Sequence, residues 1–245
     1  MDGDGGARAS LSLADNRPMN ATKTRFDAVL FDLDGTLVDS ETLGMDVLWE
    51  EGRALGMQVS REEAHRAFLG QPMGHCVGWV AERVSRPVSE SAEEFTANFT
   101  SHVRRLQTQR FRDHLQAMPG AHELLSALSH PLNQPFCVAT NGPREKAELT
   151  LGLTGLLPFF EQRLFTAYEV GHFKPAPGLF LHAAQALGAQ PERCAVVEDS
   201  LPGVRAGVAA GMQVFSLMDV DDSLMATGRV KRIAELAELH ELLAA

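Results

Sequence analysis

The sequence predicts an α/β fold, a parallel sheet with helices on both faces, interrupted after its first strand by an all-helical insertion. Three observations carry this. From about residue 113 onward, short apolar runs alternate with stretches of helical periodicity, the pattern of repeated strand–helix units. One further run of the same kind, Asp27–Phe31, stands by itself near the N-terminus. Between the two, residues 42–112 show helical spacing throughout and no strand.

The run Ala28-Val29-Leu30-Phe31 is too short for a helix and suits a buried strand; it leads into Asp32-Leu33-Asp34-Gly35-Thr36. Leu43, Val47, Leu48 and Leu55 then recur at helical spacing, with Gly56 as the stop. Ser60 and Glu63 have capping-box spacing for a second helix through Phe68. Val77, Val80, Ala81 and Val84 mark a third helix, and a fourth starts near Ser89 with Phe95, Phe99, Val103 and Leu106 on one face. Next, Pro119-Gly120 opens a helix carrying Leu124, Leu125 and Leu128, and Phe136–Ala139 is a strand ending in Thr140-Asn141-Gly142-Pro143. A helix over residues 144–153 and a short strand Leu164–Thr166 follow. Lys174-Pro175-Ala176-Pro177 precedes a helix ending at Gly188, and Cys194–Val197 is a strand ending in Glu198-Asp199-Ser200. The last predicted elements are a helix from Pro202 to Ala210, a final strand Met212–Leu217 and a helix Ala234–Ala245. The domain division is a core of residues 25–41 and 113–245, a helical cap of residues 42–112, and a flexible N-terminal tail of residues 1–24.

With 44% hydrophobic residues the chain can bury a real core, and no apolar run reaches the ~20 residues needed to cross a bilayer. The glycine-rich, acidic start lacks the apolar centre of a signal peptide. A formal charge of −10, from 22 basic and 32 acidic residues, argues against nucleic acid or an anionic membrane as partner. Cys137 and Cys194 fall in apolar runs and read as core thiols, which fits a reducing cytoplasm. A monomer is expected, with oligomers left open.

Four predicted strand or loop ends carry polar groups: Asp32 with Asp34, Thr140 with Asn141, Lys174, and Glu198 with Asp199. Two carboxylates crowded at one strand end repel unless a cation sits between them, and a hard divalent cation takes oxygen ligands. A calcium loop counted from Asp32 would need Glu at its twelfth position, which is Leu43. Each end alone reads as a helix cap or a solvated loop. Together, at the end of open parallel sheets where ligands bind, they read as an anion-plus-metal site.

Over about residues 26–217 the chain resembles the haloacid dehalogenase superfamily, in its phosphatase and phosphomutase branch with an inserted helical cap. Phe31–Ser40, Ala139–Gly142, Phe173–Pro177 and Val197–Gly203 look like that family's four motifs. The Thr140–Pro143 and Lys174–Pro177 stretches are similar to its 6-phosphogluconate phosphatases. The resemblance implies a Rossmann-like core and a Mg2+-dependent phosphatase of a small phosphorylated metabolite, a sugar or sugar-acid phosphate. It implies Asp32 as the nucleophile that forms an aspartyl phosphate, and Asp34 as the acid that protonates the leaving alkoxide and later activates water. For that, Asp34 must be protonated when the ester binds, which partial desolvation and the neighbouring carboxylate are expected to favour. Thr140, the Asn141 amide and Lys174 are implied for the phosphate oxygens; Asp32, the Asp34 carbonyl, Asp199 and Glu198 for Mg2+, Glu198 directly or from behind the ligands.

Dehalogenation needs no second acid, so Asp34 favours phosphoryl transfer. The alternative is a sugar-phosphate mutase of the β-phosphoglucomutase type. Such mutases carry a His twelve residues after the nucleophile, where this chain has Gly44, and a basic cap loop, where it reads Phe68-Leu69-Gly70-Gln71-Pro72-Met73. Receiver domains also gather acids, a hydroxyl and a Lys around Mg2+, but their acid pair is adjacent and they lack a cap. A catalytically inactive sugar-phosphate-binding protein would not be expected to keep acid, base, Lys and metal ligands intact.

Overall fold

The computed structural model describes residues 25–85, 91–160 and 162–243. Six strands are defined: β1 (Ala28–Phe31), β2 (Phe136–Thr140), β3 (Leu164–Thr166), β4 (Cys194–Glu198), β5 (Gln213–Ser216) and β6 (Val230–Arg232). They form one sheet in the order β3-β2-β1-β4-β5-β6, every pair parallel. The helices are α1 (Ser40–Ala54), α2 (Arg61–Phe68), α3 (Met73–Ala81), α4 (Ala92–His114), α5 (Ala121–Ser129), α6 (Arg144–Leu153), α7 (Ala167–Val170), α8 (Gly178–Ala186), α9 (Leu201–Ala209), α10 (Asp222–Met225) and α11 (Leu239–Leu243).

Because side chains alternate along a strand, each inner strand feeds two layers. Val29, Phe31, Phe136, Val138, Ala195 and Val197 pack on one face with Leu124, Leu125 and Leu128 of α5, Leu151 of α6 and Leu239 and Leu243 of α11. Leu30, Cys137, Ala139 and Val196 pack on the other with Leu179 and Phe180 of α8 and Val204 of α9. This double burial explains why the strands are continuous apolar runs, and all three cysteines are buried and unpaired.

Between β1 and β2 the chain forms α1–α5, and among the described residues no strand lies between them. Val47, Leu48, Phe68, Val77, Val80, Phe95, Phe99 and Val103 gather into an apolar cluster separate from the two sheet layers. At α2 the Ser60 hydroxyl accepts from the Glu63 amide at 3.1 Å. The reciprocal capping box sits at α4, on Ser91 and Glu94. Residue 89, the expected start of that helix, lies outside the described residues, as does the tail of residues 1–24.

The C-terminal part corrects two expectations. β5 is not the final strand: β6 pairs beside it at the sheet edge, where Val230-Lys231-Arg232 is short and charged, as edge strands often are. The helix expected over Ala234–Ala245 is reduced to a 3-10 turn at Leu236–Glu238 and the short α11. The Glu238 carboxylate accepts from the Ala234 amide at 2.6 Å and so ties down an extended lead-in. No helix among the described residues is long and apolar enough to cross a membrane.

Candidate active site

Register brings the polar strand ends level. Phe31 stands beside Val138 on one side and Val197 on the other, so Asp32, Thr140 and Glu198 emerge at the carboxyl edge where the chain switches between the two halves of the sheet. The Asp32 amide continues the ladder to the Val197 carbonyl at 3.0 Å. Lys174, from the loop before α8, places its ammonium 2.5 Å from Asp32 Oδ1 and 2.6 Å from Glu198 Oε1. The second oxygen of Glu198 accepts from the Ser200 amide at 3.1 Å and its hydroxyl at 2.9 Å. Both oxygens of this fully buried carboxylate are thus engaged.

Asp32, Glu198 and Asp199 each offer an oxygen within 4.8 Å of the others. Thr36 donates to Asp199 at 3.1 Å. Gly35, at φ +80°, allows the close approach, since a Cβ there would lie 2.0 Å from Asp199 Oδ2. Burial, then Asp32, Glu198 and Glu41, pushes Asp199 up to about 9. Burial raises Asp32 to about 7, Lys174 opposing and Glu198 assisting. Burial alone would lower Lys174, yet the two carboxylates outweigh it and hold the ammonium charged.

The side chain of Asp34 stands apart from this cluster. Its Oδ1 accepts the Ser40 hydroxyl, and its Oδ2 lies 2.8 Å from Lys146 Nζ of α6. Burial would raise the Asp34 carboxyl, but Lys146 and Ser40 overcome it and hold the group below its ordinary value. Desolvation is the influence expected to favour a protonated Asp34 when the ester binds; with Lys146 alongside, the ammonium outweighs it. Thr140 is buried at the end of β2, and its hydroxyl accepts from Gly142 N at 2.9 Å. The Asn141 side chain is spent on the Lys174 backbone, accepting from its amide at 2.9 Å and donating to its carbonyl at 3.2 Å. It fixes the loop that presents Lys174.

Counted as ionised, the four candidate carboxylates exceed the two ammoniums by two charges, which a bound divalent cation would balance. The oxygen-only donor set suits a hard divalent ion. Lys146 and Ser40 were not singled out as site residues from sequence. A lysine in the first turn of a helix reads as solvated, and only the fold turns it toward Asp34. The helix after β4 carries Gly203 in its first turn for a local reason. A Cβ there would stand 1.8 Å from Glu198 Cδ. Gly203→Ala is expected to push Glu198 off Lys174 and Ser200 and cost about 3 kcal/mol of stability. Urea unfolding measures this, and a wild-type midpoint would show that Glu198 is not confined there.

A sequence model of the haloacid dehalogenase-like hydrolases matches residues 26–211, spanning all four polar ends. The chain belongs to that family. Among relatives of this hydrolase, the 6-phosphogluconate phosphatase of Escherichia coli K12 is 33% identical over 221 residues, 89% of this chain and 95% of its own. The phosphorylated carbohydrates phosphatase of Thermotoga maritima is 29% identical over 190 residues, 76% of this chain and 82% of its own. The crystal structure of a haloacid dehalogenase family hydrolase from Deinococcus radiodurans R1, with bound phosphate and sodium, superposes with a TM-score of 0.73 at 31% identity, covering 90% of this chain and 96% of that one.

Proposed function

We propose that this chain is a Mg2+-dependent phosphatase of a small phosphorylated sugar or sugar acid, working through an aspartyl phosphate on Asp32. The observation that carries the reading is the pairing of the three-carboxylate cluster and Lys174 with a separately held second acid, Asp34. Asp32 and Asp199, with the Asp34 carbonyl, would hold the cation, while Glu198, both oxygens engaged, braces Lys174. When bound, the cation supplies charge neutralisation for the phosphate dianion beside these acids.

The remaining steps fall to the chain's own groups. Asp32 attacks phosphorus as a carboxylate, and the ester bond breaks as the phosphoaspartyl bond forms. Once the ester stands where the Lys146 ammonium now pairs with it, Asp34 takes up a proton, gives it to the departing oxygen and takes one from the water that later cleaves the phosphoaspartate. Thr140, the Asn141 amide and Lys174 hold the non-bridging oxygens. Residues 42–112 act as the cap over a core of residues 25–41 and 113–245. At Gly44, the Gln107 amide donates to the backbone carbonyl at 2.9 Å, so α4 fills the position where a mutase would carry its His.

The test is phosphate release from a panel of phosphorylated metabolites, with Mg2+ and with excess chelator. Metal-dependent release is expected. Full activity in chelator would remove the metal assignment. β-Glucose 1-phosphate with its bisphosphate should yield free phosphate; rapid glucose 6-phosphate with little phosphate would make this a mutase.

The metal assignment also predicts a pH signature. Asp32 and Asp199, raised to about 7 and about 9, bind protons more tightly in the folded chain than in the unfolded one. Without a compensating cation, stability therefore falls as pH rises from the ordinary carboxylate range through those values. Mg2+ competes with these protons, so it should raise the unfolding temperature more at about pH 8 than at about pH 6. Scanning calorimetry at both pH values decides this; equal shifts would count against Asp32 and Asp199 as ligands.

A further inference from the structure

We propose that Lys146 is a specificity-determining residue, reading a second anionic group, a carboxylate, on the organic half of the substrate. The inference rests on the phosphatase reading above and deepens it. Asp34 Oδ1 is held by Ser40, which is buried. Oδ2 faces the phosphate side: a Cβ on Gly142 would lie 3.6 Å from it and 3.3 Å from Thr140 Oγ1. The leaving oxygen must reach Asp34 from that side, where the Lys146 ammonium now stands 2.8 Å from Oδ2.

Binding an ester therefore moves Lys146 off Asp34. The Lys146 side chain is 38% exposed, on a flexible four-carbon stem that can follow the substrate. A neutral organic group takes away its ion partner and gives nothing back; a carboxylate within reach restores a charge-assisted hydrogen bond. That difference is specificity.

Two other cations among the described residues at this end of the sheet are committed. Lys174 is buried between Asp32 and Glu198. Arg144, in the same turn as Lys146, is tied to Glu169, Glu148 and the Leu164 carbonyl. The loop Phe68–Met73 contains no Lys or Arg, and its Gly70 amide donates to Glu41, an acid, at 3.3 Å. A substrate carboxylate entering this site finds its cation in Lys146.

The experiment uses two substrate pairs, each differing only in a terminal carboxylate against a terminal hydroxymethyl group. These are 6-phosphogluconate with glucitol 6-phosphate, and 3-phosphoglycerate with glycerol 3-phosphate. The wild-type enzyme with Mg2+ should favour the acid of at least one pair in kcat/KM by about ten- to hundredfold. Lys146→Met should collapse that ratio at least tenfold, and Lys146→Arg should retain most of it. In an Asp32→Asn background, where no turnover intervenes, calorimetry should show the same loss of preference in Kd. A wild type without preference, or a Lys146→Met variant that slows both members of a pair equally, overturns the assignment and leaves the phosphatase reading standing. Failure to release phosphate from any panel member takes both down.

Discussion

Asp32→Asn is expected to extinguish turnover, by about 10^4-fold or more, and to leave no labelled phosphoenzyme with any substrate. An amide oxygen is too weak a nucleophile to displace an alkoxide from phosphorus. The fold should survive, because Lys174 keeps its second carboxylate, Glu198 at 2.6 Å, and so retains a partner for its buried charge. Rapid-quench labelling with a radioactive phosphate ester, alongside a thermal unfolding curve, measures both halves. A phosphoenzyme in the variant would assign the nucleophile to another side chain.

Asp34→Ala should fail differently. The nucleophile and its Lys174 partner are untouched, while the proton donor and the base for the second step are gone. For an alkyl phosphate the first step should fall by about 10^2- to 10^4-fold, since the departing alkoxide is strongly basic. p-Nitrophenyl phosphate needs little protonation to leave. It should give a burst of about one nitrophenol per site, then slow release, because water attack on the phosphoaspartate has lost its base. Steady turnover near the wild-type rate would show that Asp34 is not the acid–base group. Lys146 loses its carboxylate in this variant, but its side chain reaches solvent, so the unpaired charge is cheaply hydrated.

Most of the core could be read from the chain because each inner strand is buried on both faces. Such strands appear as unbroken runs like Cys194–Val197, with polar residues directly at the edge where they surface. That is why Asp32, Thr140, Lys174 and Glu198 stand out in the sequence as candidates: each lies where an apolar run or a Pro-rich loop abruptly turns polar. β6 escaped because an edge strand of three residues, two of them basic, has neither length nor pattern. Lys146 escaped for another reason. Its neighbours Arg144, Glu145 and Glu148 make α6 look like a solvated charged turn, and its partner lies more than a hundred residues earlier. The ammonium beside Asp34 is hidden in the sequence for the same reason, although desolvation and the neighbouring carboxylate are both legible there.

The contacts that make this site span long stretches of chain. Lys174 reaches back 142 residues to Asp32, and Thr36 reaches forward 163 residues to Asp199. Closing loops of that size is entropically costly until the sheet between them exists. No fragment carrying one or two of these ends owns the assembled cluster, and a nascent or partly unfolded copy holds its acids too far from its lysines to act. Hydrolytic power therefore arrives only with the finished molecule, and damaged or incomplete copies stay inert.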